Sequence, residues 1–242
     1  MSTKTGLISS APLCGCYGKL PAVGDFVHYH LPADFVSQWD EWLQTVILAG
    51  KENLQDQWLP SYLTCPIYHF ILAPGLLGER GWLGVVVPSM DRVGRYFPLM
   101  ICAPLHQQAN LSCLHSDYAE WFSEVESLLL ACLDEMSVEQ LKEGLQGLDH
   151  TFLQAQSQNN RETTVKMSTK AVRFSLGKEG ELKEIFPLFL NSLFFEANKG
   201  VSIWWSEGSE QVEASVVLHQ GMPSKDHATA FFDGQWQKWG WS

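Results

Sequence analysis

Ile67-Tyr-His-Phe-Ile-Leu-Ala73, Trp82-Leu-Gly-Val-Val-Val87 and Tyr96-Phe-Pro-Leu-Met-Ile-Cys-Ala103 follow one another closely in this chain. Each is rich in aromatic and β-branched residues and is bounded by Pro or Gly, which predicts a strand. The middle one is apolar at successive positions, Leu83-Gly-Val-Val-Val87, and reads as buried on both faces. Ahead of them, Leu31–Gly50 predicts a helix. Pro32 suits its first turn, Phe35, Trp39, Trp42, Leu43, Val46 and Ile47 share one face, and Gly50 is expected to stop it. Behind them, Ser116–Leu133 predicts a second helix, with Asp117 and Glu120 favouring its N-terminal end through the helix dipole. Its apolar face is Trp121, Val125, Leu128, Leu129 and Cys132. A shorter amphipathic helix is expected over Val138–Leu148. Strands in near succession between helices point to an α/β fold, a mainly antiparallel sheet layered with flanking helices. A regular strand–helix alternation is missing, which argues against a Rossmann-type sheet.

The chain turns polar from Asp149 to Lys170, as a linker or mobile segment would. Ala171–Leu176 and Val201–Trp205 then read as strands, Pro187–Ala197 as a buried helix, Val212–His219 as a strand and Ser224–Phe232 as a short helix. The expected organisation is a flexible N-terminus over 1–14 and one α/β domain over 15–242, with the polar segment near 149–170.

The whole composition suits a packed core. Of 242 residues, 45% are hydrophobic and 18% charged, and 10 Trp with 13 Phe supply large buried area. Acidic residues number 27 against 16 basic ones, a formal charge of −11. That balance, with no Lys/Arg cluster, argues against nucleic acid and against anionic membrane surfaces as partners. Met1–Ser10 lacks the apolar run of a signal peptide, and no stretch approaches the ~18 apolar residues of a membrane span. The expectation is a cytoplasmic protein without membrane insertion, whose 6 Cys are reduced core thiols.

Chemical motifs are sparse. Gly15-Cys-Tyr-Gly-Lys19 resembles a phosphate loop only superficially, because Leu13 and Leu20 stand where that loop needs Gly and Ser or Thr. Cys14, Cys16, His28 and His30 have metal-ligand chemistry, but their spacing departs from zinc-finger patterns. Ser89 and Asp91 with a histidine would make a triad only on paper, since no Gly-x-Ser-x-Gly or His-Glu-x-x-His accompanies them. His69 is expected on a strand face. No catalytic residue, metal or cofactor is therefore assigned, and a small hydrolase or phosphate-handling enzyme is the alternative class. Asp91-Arg-Val-Gly-Arg95 concentrates two of the chain's few arginines between hydrophobic strands. An Arg fork there can bind an external carboxylate or phosphate, or pair with Asp91 to close the turn. Lys19 and Asp25 admit the same two readings.

Many fragments taken in order resemble one family. Gly18-Lys-Leu-Pro21 and Gly24-Asp-Phe-Val27 open the series, followed by Leu31-Pro-Ala-Asp-Phe-Val36 and Trp39-Asp-Glu-Trp-Leu43. Phe70-Ile-Leu-Ala-Pro-Gly-Leu76, Trp82-Leu-Gly-Val85 and Pro88-Ser-Met-Asp-Arg-Val-Gly-Arg-Tyr-Phe-Pro-Leu99 continue it, and Ser202-Ile-Trp-Trp205, Gly221-Met-Pro223 and Phe232-Asp-Gly234 close it. Together they resemble the TagF (ImpM-like) accessory proteins of bacterial type VI secretion systems. His28, His30 and Cys16 depart from the family's usual residues. The resemblance implies a non-enzymatic, post-translational negative regulator that binds the system's forkhead-associated (FHA) domain scaffold protein. It also places the linked Thr kinase/phosphatase module among the expected partners. The charge and glycine content of the two turn motifs makes Lys19, Gly24, Asp25, Phe26, Asp91, Arg92 and Arg95 the expected partner-binding residues.

Overall fold

The structure, a computed structural model, describes residues 13–105, 114–134, 136–158 and 200–241. Seven strands form one sheet: β1 (Gly15–Lys19), β2 (Phe26–Tyr29), β3 (Tyr68–Leu72), β4 (Trp82–Val87), β5 (Leu99–Pro104), β6 (Val201–Ser206) and β7 (Ser215–Gln220). Their order is β2-β1-β5-β4-β3-β6-β7, and every neighbouring pair is antiparallel. The expected α/β layering is what the chain adopts. β4 stands at the centre and is buried on both faces. Leu83, Val85 and Val87 enter one core, while Trp82 and Val86 pack into the other.

Helices cover each face. On one side, α1 (Ala33–Leu54), α2 (Trp58–Leu63) and α6 (Lys225–Asp233) join a core of Phe35, Trp39, Phe70, Trp204 and Phe231. On the other, α4 (Ala119–Leu133) and α5 (Val138–Gln158) bury Trp121, Val125, Leu129, Leu145 and Phe152 against Leu83, Val85 and Ile101. The short α3 (Leu114–Asp117) precedes α4.

Several boundaries differ from expectation for physical reasons. α1 continues through Gly50, because that glycine is a packing site: a Cβ there would lie 2.5 Å from the Trp58 ring. A single helix over Ser116–Leu133 is instead two, interrupted at buried Tyr118. β5 starts at Leu99, and Tyr96 forms an isolated bridge with Met90. The polar segment expected from Asp149 is helical as far as Gln158. Asp149 itself accepts a hydrogen bond from the Cys14 backbone N–H, and Phe152 is fully buried. Cys14, placed by sequence in a flexible terminus, is therefore a core residue. The segment 159–170, the strand Ala171–Leu176 and the helix Pro187–Ala197 lie outside the described residues.

The C-terminal part extends the same sheet, since β6 pairs with β3. Ser224 caps α6 by accepting from the His227 N–H. The aromatic tail docks on this helix: Trp241 Nε1 donates to the His227 carbonyl at 2.8 Å, and Trp239 Nε1 to Asp233 Oδ2 at 2.8 Å. Among the described residues, no helix is long and apolar enough to cross a membrane.

Candidate functional site: a ridge built from two turns

Both turn motifs lie at one end of the sheet, because β1 pairs with β5. The sequence marks them as turns, yet each also contains sheet backbone. β1 runs into Lys19, reverses through Leu20–Asp25 and returns as β2 from Phe26. Gly18 makes this possible. Its φ is +139°, and a Cβ would sit 2.1 Å from the Pro98 carbonyl oxygen. The absence of a side chain lets β1 run hard against the residue before β5.

The second turn is organised by one carboxylate. Asp91 Oδ1 accepts from the N–H groups of Val93 (3.1 Å) and Arg95 (2.9 Å). Asp91 Oδ2 accepts from Lys19 Nζ (2.8 Å) and Arg95 Nε (2.7 Å). Burial disfavours the Asp91 anion, but these donors and the Lys19 charge outweigh it and hold the carboxyl well below the usual carboxylate range. The loops are tied elsewhere too. Arg95 Nη2 donates to the Gly24 carbonyl at 2.7 Å, Arg92 N–H to the Val23 carbonyl at 2.9 Å, and Ser89 Oγ to the Lys19 carbonyl at 2.8 Å. Tyr62 O–H donates to the Ser89 carbonyl at 2.7 Å, which anchors the ridge to α2.

The seven residues marked by sequence are brought together, but they divide into two kinds. Lys19 and Asp91 are buried, and Arg95 spends its guanidinium on Asp91 and Gly24. These three hold the turns together. Asp25, Phe26 and Arg92 are exposed. Phe26 stays 40% exposed although it stacks on Tyr17 and meets Phe97 edge-on. Beside them, Met90 and Val93 are also exposed, apolar positions the sequence reading passed over. Gly24 is not sterically required, since a Cβ there would approach only the Arg92 guanidinium, at 3.6 Å.

Two other candidate constellations do not assemble. Register places Cys16 opposite Tyr29 and Tyr17 opposite His28, so Cys16 and His28 point to opposite faces of the sheet. Cys14 and Cys16 are sealed in the α4/α5 core, and the four residues form no metal quartet. Ser89 gives its hydroxyl to Lys19, and among the described residues no histidine hydrogen-bonds to Ser89 or Asp91. His69 does lie on a strand, in β3, where it lines a second cleft with Phe122, Glu126, Trp205 and Glu207. The sequence signal for that cleft is Glu126, a carboxylate one turn after Phe122 beside the apolar stripe of α4.

The comparisons bear on the whole arrangement. The chain aligns with the crystal structure of PA0076 from Pseudomonas aeruginosa PAO1 at a TM-score of 0.71 and 35% identity, over 92% of this chain and 94% of that one. No curated protein matches it. A profile of the TagF N-terminal domain, type VI secretion system-associated, matches residues 15–148, which include both turns of the ridge. The chain belongs to the TagF family of type VI secretion system-associated proteins.

Proposed function

We propose that this protein is a non-enzymatic, cytoplasmic regulator that restrains type VI secretion by binding the system's FHA-domain scaffold protein through the ridge. The observation that carries the reading is the contrast within the ridge. A buried Lys19–Asp91–Arg95 lock presents Phe26, Met90, Arg92 and Val93 to solvent on loops fixed to the sheet. Exposed apolar side chains next to a guanidinium that no described residue pairs, on turns fixed to the sheet, suit a protein interface, because little entropy is lost on docking. The linked Thr kinase/phosphatase module belongs to the same proposal, as the source of a phosphate the arginine could read.

The experiment is a binding titration with the purified FHA-domain scaffold of the same secretion cluster. The variant is Met90→Ser/Arg92→Ala/Val93→Ser, which leaves Lys19, Asp91, Arg95 and the Phe26 ring beside the Lys19 ammonium in place. Wild-type binding and a loss of about tenfold or more in the variant, with unchanged circular dichroism, would support the reading. Equal binding by both proteins moves the interface off the ridge. No binding by the wild type removes the FHA scaffold as the partner.

A further inference from the structure

On the sheet face that carries α4, a cleft of about 410 Å³ opens among α3, α4 and β6. Its floor is aromatic. The Trp205 indole stacks on the His69 imidazole with centroids 5.1 Å apart, and Phe122 meets Trp205 edge-on at 5.0 Å. Its rim is acidic, with Glu126 from α4 and Glu207 just beyond β6. Among the described residues, no Lys or Arg lines it.

His69 Nε2 lies 3.2 Å from Glu126 Oε2, a spacing that suits an ion pair. The imidazole is nevertheless neutral near pH 7, because burial, then His115, lowers its pKa to about 4. A neutral ring at that distance leaves the Glu126 carboxylate charge uncancelled. Burial and the charge of Glu207 both raise the Glu126 pKa, so the two carboxylates repel one another across the cleft. His69 Nδ1 is buried without a hydrogen-bond partner. The site therefore has an aromatic floor, excess negative charge and an unmet polar atom, and among the described residues no Lys or Arg to balance it.

We propose that this cleft receives the guanidinium of an arginine side chain presented by a protein partner. A flat delocalised cation stacks on Trp205 and shares its N–H groups between Glu126 and Glu207, which relieves their repulsion. A lysine ammonium fits less well, since it has no face to stack. The formal charge of −11 steers a basic segment toward the protein in the same sense. This site draws on α3, α4, β3 and β6, so it stands independently of the ridge and its FHA reading.

The test follows the Trp205 indole N–H peak in the NMR spectrum of the full chain, assigned with Trp205→Phe. The probes are N-acetyl-arginine amide, its uncharged isostere N-acetyl-citrulline amide, and N-acetyl-lysine amide. The arginine probe is expected to give a saturable shift, the citrulline probe none, and the lysine probe a weaker one. Glu126→Gln/Glu207→Gln should weaken the arginine titration about tenfold. Should that variant fold poorly, Glu207→Gln alone, at an exposed position, reads the same effect. An absent arginine shift, an equal citrulline shift, a stronger lysine response or an unaltered titration in the carboxamide variants would each overturn the proposal.

Discussion

Lys19 Nζ lies 2.8 Å from Asp91 Oδ2, and the two side chains, 72 positions apart in the chain, are 7% and 0% exposed. A buried ion pair is favourable only when its remaining hydrogen-bonding capacity is met, because desolvation of both charges opposes it. Here Asp91 takes four donors, two from the backbone of its own turn, and the Lys19 ammonium lies 5.2 Å from the centre of the Phe26 ring. The pair makes two distant turns into one body. A stability defect in one turn must therefore appear in the other.

Asp91→Asn tests that coupling. It keeps the side-chain shape and removes the charge, so Lys19 stays buried without a counter-ion. The melting temperature is expected to fall further than in Arg92→Ala, whose side chain is exposed. Lys19→Met/Asp91→Asn should recover part of the loss, because no orphan charge remains. Calorimetry of the single and double variants decides: a double variant that shows the sum of the two single losses would mean that the pair is not coupled.

The same carboxylate sets an acid limit. The folded pKa of Asp91 lies well below its ordinary 3.8, so the unfolded chain binds this proton more readily. The stabilisation is fully present above the unfolded value of about 3.9, and is lost as pH falls from there toward the depressed folded value. Melting curves from pH 5 downward should steepen below pH about 4 in the wild type and less so in Asp91→Asn. Parallel pH profiles for the two proteins would show that other carboxylates govern acid unfolding.

Much of this architecture is legible in the sequence, and the reasons are local. The run Leu83-Gly-Val-Val-Val87 announces a strand with no solvent face, and α1 and α4 carry apolar residues at helical spacing. What escaped depends on tertiary context. Gly50 looks like a stop until Trp58 is seen to need its missing side chain. Polar residues after Asp149 look like a linker because the anchoring contacts, Asp149 to Cys14 and Phe152 to the core, are made to distant elements. Within the ridge, the seven residues marked by sequence lie together, but their division into buried and exposed is not legible. Whether an arginine faces a partner or an internal carboxylate is a matter of register between turns, and no spacing rule encodes it. The His69–Glu126–Trp205 cleft is harder still, since its members come from separate elements.

Gly84 carries a steric prediction. A Cβ there would lie 2.6 Å from both the Ile101 carbonyl oxygen and the Phe70 ring, at the centre of the sheet. Neither neighbour can retreat without disturbing β3 or β5. Gly84→Ala is expected to lose about 1–3 kcal/mol, the usual effect of overpacking. Urea denaturation with an unchanged m-value measures it. A neutral result would show that the central strand has more room than its neighbours imply.

The cysteines supply a prediction about dynamics. Cys14, Cys16, Cys102 and Cys132 are free thiols at 0–1% exposure. Burial pushes Cys16 and Cys132 up to about 12 and raises Cys14 and Cys102 well above the usual thiol range. The thiolate is the reactive form, so at pH 8 its fraction at Cys16 is lower by about a thousandfold than in an unfolded chain. In a Cys65→Ser/Cys113→Ser background, a thiol reagent should label the native protein only as fast as it opens, and the urea-unfolded protein at once. β1 has only the two-stranded hairpin with β2 outside it, so Cys16 is where local opening would show first. Mass spectrometry of partly labelled protein reads this directly. Early modification of Cys16 ahead of Cys102 would mean that the β1–β2 hairpin detaches from β5 and breaks the Lys19–Asp91 lock. Simultaneous modification of all four would mean that the ridge opens only when the whole sheet does.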